Sequence, residues 1–232
     1  MTGDWQGTLD IRIIPVIADA KQQTRDYVET LNQQHFEDIE RYLIAQAEPF
    51  GLNLKNSLDI RLEPSIEDNP PTVPKNNSSL FEVTLWSLKL RWWAWRNELD
   101  DHHIAQIRLY VLYQSPSNNQ PLPHSTGLQN GLLGLINARA FENQEGLHQI
   151  VIVHELLHIF GATDKYDFST GEPFYPQGFA QPNQSPLHPQ SKAKIMARAM
   201  QIDDKKLEVA TSLNRIIIGP ITAQEIGWLS AE

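Results

Sequence analysis

The chain has 232 residues, 41% hydrophobic and 20% charged, which is ample for a real core and excludes a collagen-like, coiled-coil or wholly disordered protein. Twenty-eight acidic against 19 basic side chains give a net charge of −9. Such a surface repels phosphate backbones and anionic lipid, so no nucleic acid and no membrane is expected as the main partner. The chain has no Cys, which removes disulfides and restricts any metal site to His, Asp, Glu or backbone oxygen.

The first residues, Met1 to Trp5, lack a basic stretch followed by an apolar one, and the longest apolar runs (150–153, 216–218) are far too short to span a bilayer. The expectation is a soluble chain with no export signal, cytoplasmic as written. Segment 9–18 (LDIRIIPVIA) alternates and is rich in Ile and Val, which predicts a strand. Thr24 sits where an N-cap would, and 25–47 place Tyr27, Val28, Leu31, Phe36, Ile39, Tyr42 and Leu43 on one helical stripe that Pro49 and Gly51 end. Residues 57–62 predict a second strand, and the polar, proline-rich 64–79 a loop.

Residues 80–99 predict a helix loaded with Trp86, Trp92, Trp93 and Trp95, a cluster that reads either as core or as a binding surface. Segment 104–113 alternates as a strand, and 131–141 (GLLGLINARAF) predicts another after a polar loop. A helix follows over 144–160, then a loop-rich stretch over 161–192 interrupted by five prolines. A short helix over 222–229 closes the chain, with Thr222 as N-cap and Glu225 in capping-box spacing. Helices interleaved with strands argue for an α/β (α+β) fold around a mixed twisted sheet. With no internal repeat and no composition break, 1–232 reads as a single domain.

Residues 150–166 read IVIVHELLHIFGATDKY. Four residues on a helix is slightly more than one turn, so His154 and His158 project from one face and reach one ion. Glu155 is one step round, where a carboxylate can act as a general base toward water and then protonate a leaving amine. The helix is otherwise apolar nearly all round, and burying two His and a Glu in it is costly unless they pair or bind metal. A His–Glu hydrogen-bond network without metal is the plainer alternative. Gly161 stops the helix and reverses the chain, so Asp164 either returns to the two His as a third ligand or is a solvated loop residue. His188 and Glu172 are other sources of a third ligand. His102 and His103 beside Asp100 and Asp101 are able to bind a stray metal but read first as polar side chains facing solvent.

The string HELLHIFGATD resembles the extended metzincin signature H-E-x-x-H-x-x-G-x-x-(H/D), in the form that smaller bacterial metzincin-like peptidases use, with aspartate as the last ligand. The match covers about residues 150–200. It implies one catalytic Zn²⁺ held by His154, His158 and Asp164, with Glu155 as general base. It also implies an upper part (about 1–160) with a mixed sheet and the active-site helix, and an irregular lower part (about 161–232) ending in a helix. Met196, within Lys194-Ile195-Met196-Ala197, stands where that family has its Met-turn. The strand at 131–141 would be the sheet edge that holds an extended peptide.

Where some metzincins have a Tyr two residues after the turn methionine, this chain has Arg198. Tyr166 and Tyr175 are the alternatives for steadying the tetrahedral intermediate, and each reads first as structural. No segment ahead of the motif reads as a propeptide. The expected activity is zinc-dependent hydrolysis of peptide bonds, with an endopeptidase the expected type and a peptide or protein as substrate. The alternative is a zinc-stabilised protein-interaction module without activity.

Overall fold

The computed structural model describes residues 5, 7–74, 78–97, 106–117, 121–129 and 132–230. Strands β1 (Leu9–Ile17), β2 (Leu58–Leu62), β3 (Ile107–Gln114), β4 (Thr126–Leu128) and β5 (Leu133–Arg139) form one sheet in the order β2-β1-β3-β5-β4. β1 pairs parallel with β2 and β3, and β3 with β5, while β4 runs antiparallel to β5.

A largely parallel sheet has to be covered on both faces, and side-chain alternation supplies two apolar ones. Ile11, Ile13, Leu109, Val111 and Ile136 enter the larger core, whereas Ile14, Val16, Tyr110, Leu133 and Leu135 enter a second, smaller one. Helices α1 (Gln22–Thr30), α2 (Gln34–Ala47) and α4 (Glu145–Ile159) build the larger core, and α3 (Leu80–Arg96) the smaller. The mixed α/β class read from the element order is the one observed.

Beyond α4 the chain is irregular up to residue 192, as the prolines require. Two short pairs follow. β6 (Ala193–Lys194) lies parallel to β9 (Ile216–Ile217), and β7 (Ala199–Gln201) antiparallel to β8 (Leu207–Val209). Helix α5 (Pro220–Glu225) closes the chain. Ile195, Met196, Ile216 and Trp228 from this lower part belong to the same buried cluster as α4. No helix among the described residues is long and apolar enough to cross a membrane.

Several expectations need correction. The single helix over 25–47 is two helices. Leu31 leaves α1 in an extended conformation, and Asn32 Oδ1 accepts the Gln34 N–H at 3.0 Å, a local bond that competes with the helical ladder. Gln33 then reaches β2, donating to Ile60 O at 2.7 Å and accepting from Leu62 N–H at 2.9 Å, so the break ties α2 to the sheet. Thr24 is not the N-cap. That position falls to Lys21, with no side-chain cap, and Thr24 is buried inside the first turn.

At the carboxyl end, Gly219 is the N-cap and Pro220 opens α5, the position proline favours because its missing N–H has no helical partner there anyway. Thr222 is therefore buried within the helix. The strand at 131–141 is not an edge: β5 lies between β3 and β4, and the unforeseen β4 is the edge strand. The helix at 80–99 has a capping box, Ser79 with Glu82, that marks its start in the sequence. Residues 98–105, including the His102–His103 pair, and 130–131 lie outside the described residues.

One core histidine is expected to make the fold acid-sensitive. His148 is buried, with Tyr113 and Tyr27 edge-on at 5.7 and 6.4 Å between ring centroids. Burial drives its pKa down from 6.5 to about 4, only partly opposed by a hydrogen bond to the Arg139 backbone. Between those values the unfolded chain takes up a proton that the folded chain refuses, so the contribution is intact above pH 6.5 and is lost as pH falls toward 4. At 1.36 kcal/mol per unit the loss is about 2–3 kcal/mol by pH 4.5. Urea unfolding at pH 7.5 and 4.5 should show it, and His148→Gln should remove that part of the acid limb.

Candidate metal centre

Helix α4 delivers the motif. Ile150, Ile152, Val153, Leu156, Leu157 and Ile159 are buried, which fixes the rotation of the helix about its axis. That rotation brings His154 and His158 together, their rings near perpendicular with centroids 4.6 Å apart and the Nε2 atoms 3.0 Å apart.

The helix ends in a Schellman arrangement. Gly161, at φ +101°, donates to His158 O at 3.0 Å, and Ala162 donates to Leu157 O at 3.0 Å. The positive φ is the conformation a side chain resists and glycine adopts freely. The reversed chain carries Asp164 back to the two imidazoles, with Oδ1 3.2 Å from His154 Nε2 and 3.4 Å from His158 Nε2. Among the described residues, these three form the one group of His, Asp or Glu side chains close enough to share an ion.

The arrangement fits zinc. Tetrahedral ligands at ~2.0–2.1 Å from the metal stand about 3.3 Å from one another, and the three edges here measure 3.0, 3.2 and 3.4 Å. Each ring has its other nitrogen committed to a backbone carbonyl: His154 Nδ1 donates to Ile195 O at 3.1 Å and His158 Nδ1 to Ala162 O at 2.8 Å. With those protons on Nδ1, both Nε2 atoms present lone pairs, oriented as in histidine-ligated metal sites. Asp164 Oδ1 is buried and accepts no hydrogen bond. Two facing lone pairs and a carboxylate oxygen are a donor set suited to a cation.

The charges agree. Burial alone would raise the Asp164 pKa, but the two imidazoles outweigh it and hold the carboxyl well below its usual range. Burial would lower His158, and Asp164, Ala162 and Glu155 together carry it above its usual value. Glu155 is buried on the same helix. Burial raises its pKa, His154 and His158 pull it down, Asp164 pushes it up and the Gly127 N–H pulls it down, with a net rise.

Met196 occupies a buried single turn, Ile195-Met196-Ala197, between β6 and β7. The carbonyls of that turn brace the centre: Ile195 O accepts the His154 Nδ1–H, and Met196 O accepts the Lys165 N–H at 2.8 Å. Arg198 follows at φ +65°, its guanidinium 5.3 Å from the Tyr166 ring centroid. Tyr166 itself is buried, and Tyr175 is exposed with its hydroxyl toward Pro182 O. His188 lies beside Phe179 and 3.7 Å from Asp204, and Glu172 is exposed, so neither joins the cluster.

Two contributors escape sequence reasoning. Gly127 of β4 lies so close to α4 that a Cβ there would stand 2.6 Å from Glu155 O and 3.0 Å from His158 Cβ. The signal available was a glycine that marks close backbone approach, in a stretch too short to read as a strand. Glu225 is the other. It accepts from Thr163 N–H at 3.1 Å, Thr163 Oγ1 at 2.7 Å and buried Lys165 Nζ at 2.7 Å, clamping the residues on both sides of Asp164. Its capping-box spacing to Thr222 predicts a partner within its own helix, whereas its bonds go to Thr163 and Lys165.

Glu225→Ala strips buried Lys165 of its carboxylate, an uncompensated charge worth about 3–5 kcal/mol of stability. Zinc affinity should fall by roughly 10- to 100-fold, as when second partners of metal ligands are lost. Chemical unfolding and competition with a zinc chelator measure the two effects. Compared with models of known protein families and with curated proteins, the chain matches none.

Proposed function

We propose that this protein is a zinc-dependent peptidase of metzincin-like architecture, with His154, His158 and Asp164 holding one Zn²⁺ and Glu155 as general base. The observation that carries this reading is the triangle of Nε2, Nε2 and Oδ1 at tetrahedral spacing, with both Nδ1 protons already committed to carbonyls. Bound there, zinc supplies Lewis acidity that polarises a peptide carbonyl and makes water a competent nucleophile at neutral pH.

The remaining work falls to the chain. Glu155 accepts the proton of the attacking water and returns it to the leaving amine. Burial makes its carboxylate readier to hold that proton, and the Gly127 N–H and the two imidazoles keep it ready to release it. Edge strand β4 offers main-chain groups along which an extended peptide can pair. Since Gly127 of this strand touches α4, substrate laid there lies beside the base. The Met196 turn and the Glu225 clamp hold the ligands in place while the substrate changes.

An inert zinc-stabilised module is the poorer reading. Structural zinc has a closed shell of four protein ligands, whereas the described residues converge three and set a buried carboxylate beside them. Digestion of a mixed peptide library, read by mass spectrometry, tests the choice. Zinc-loaded protein should cut, a chelator should stop it, and added zinc should restore it. Silence from protein with zinc confirmed bound would favour the module.

A further inference from the structure

The Met196 turn ends on a charge that the metal centre does not use. Ile195, Met196, Ala197, Ala199 and Met200 are all buried, and Arg198 in their midst is exposed. It stands at φ +65° and ψ −37°, a backbone conformation that side chains resist. Strain of this kind concentrates where ligands are handled. The guanidinium rests 5.3 Å from the Tyr166 ring centroid and 3.5 Å from the Tyr166 hydroxyl, its one polar side-chain contact among the described residues. An arginine carries five N–H donors in a fixed fork, so most of these are free to receive a ligand. Arg12, Arg25, Arg41, Arg61 and Arg215 each meet a carboxylate, whereas none of the described carboxylates pairs with Arg198. The acids on either side of Tyr166 are committed elsewhere, Asp164 to the imidazoles and Asp167 to Ser169 and Thr170.

Position gives that charge a partner. The turn carbonyls bond His154 and the Lys165 N–H, so Arg198 and Tyr166 border the centre, two residues beyond Met196 and Asp164 respectively. β4 meets the same centre through Gly127, beside Glu155 and His158. A peptide laid along β4 is extended, its side chains alternating between two faces. Resting on the peptidase reading above, we propose that Arg198 receives a carboxylate of that peptide close to the scissile bond. The guanidinium fork matches a carboxylate with two parallel N–H···O bonds and keeps its charge at every working pH. Stacking on Tyr166 holds the fork in place before the ligand arrives, which lowers the ordering cost of docking. The carboxylate belongs either to an Asp or Glu side chain or to the carboxyl end of the peptide. The first source makes the enzyme selective for acidic sequences, and the second makes it a trimmer of chain ends.

Calorimetry on zinc-loaded Glu155→Gln reads recognition apart from turnover. The probes are end-blocked peptides with one aspartate walked along a neutral sequence, their asparagine counterparts, and the neutral peptide with a free carboxyl end. An aspartate at one position, or the free end, should bind about 10- to 100-fold tighter than its neutral counterpart, the range of hydrogen bonds to a charged group. Which of the two binds tighter tells side chain from chain end. Adding Arg198→Gly should erase the preference without making urea unfolding easier, because glycine adopts φ +65° freely. Adding Arg198→Glu should turn the preference toward lysine peptides, which a residue that only braced Tyr166 would not do. Acidic and neutral probes that bind alike or not at all, or a preference that survives Arg198→Gly, overturn the proposal. Wild type that shows the preference yet never cuts refutes the peptidase reading alone, and the carboxylate subsite stands.

Discussion

Glu155→Gln should leave zinc bound at one equivalent while lowering kcat/KM on a cleaved peptide by about 10²- to 10⁴-fold, the range for loss of a positioned general base. The amide keeps the shape of the carboxyl group and can still accept the Gly127 N–H, but it cannot take a proton from water. None of the three metal-facing atoms belongs to Glu155, so the ligand triangle is untouched. Glutamine also removes the cost of burying a carboxylate, whose pKa burial raises. Unfolding should thus be no easier than in wild type, which separates lost chemistry from lost structure. A variant that keeps activity within about tenfold would remove Glu155 from the base role.

Asp164→Ala should abolish tight zinc binding, with affinity falling by more than roughly 100-fold, since losses of 10- to 100-fold already follow from changes one step further from the metal. The two Nε2 atoms then face each other with no carboxylate to balance a cation. Zinc titration followed by calorimetry measures the loss. The thermal upshift expected of zinc on wild type, about 4 kcal/mol of stabilisation at a thousandfold excess over Kd, should shrink with it. Full retention of zinc would mean that another residue completes the site, with His188 and Glu172 the first to test.

The centre is the most legible part of the sequence because its determinants are local. His154, Glu155 and His158 need only the periodicity of one helix, and Gly161 with Asp164 needs only a helix stop and a short return. Strands β1, β3 and β5 are legible for a similar reason, since alternation reports a face directly. What escapes is set by distant partners. Asn32 and Gln33 split the predicted helix through a local amide bond and a reach to β2, neither of which changes the hydrophobic stripe that suggested one helix. β4 is three residues long, too short for a pattern, and exists because β5 and α4 flank it. Glu225 bonds across about sixty residues to Thr163 and Lys165, which spacing along α5 does not reveal. The tryptophans of α3 divide between core and solvent, and the heptad spacing that separates them is visible only once the sheet has claimed one face.

The proposed metal, base and substrate roles all depend on one zinc ion seated among His154, His158 and Asp164. Anomalous diffraction at the zinc edge from crystals of zinc-loaded protein tests this directly. The predicted result is a single peak about 2.0–2.2 Å from His154 Nε2, His158 Nε2 and an Asp164 carboxylate oxygen, with its fourth position open toward Glu155. Zinc bound by other side chains, or no zinc between the two imidazoles, would contradict it.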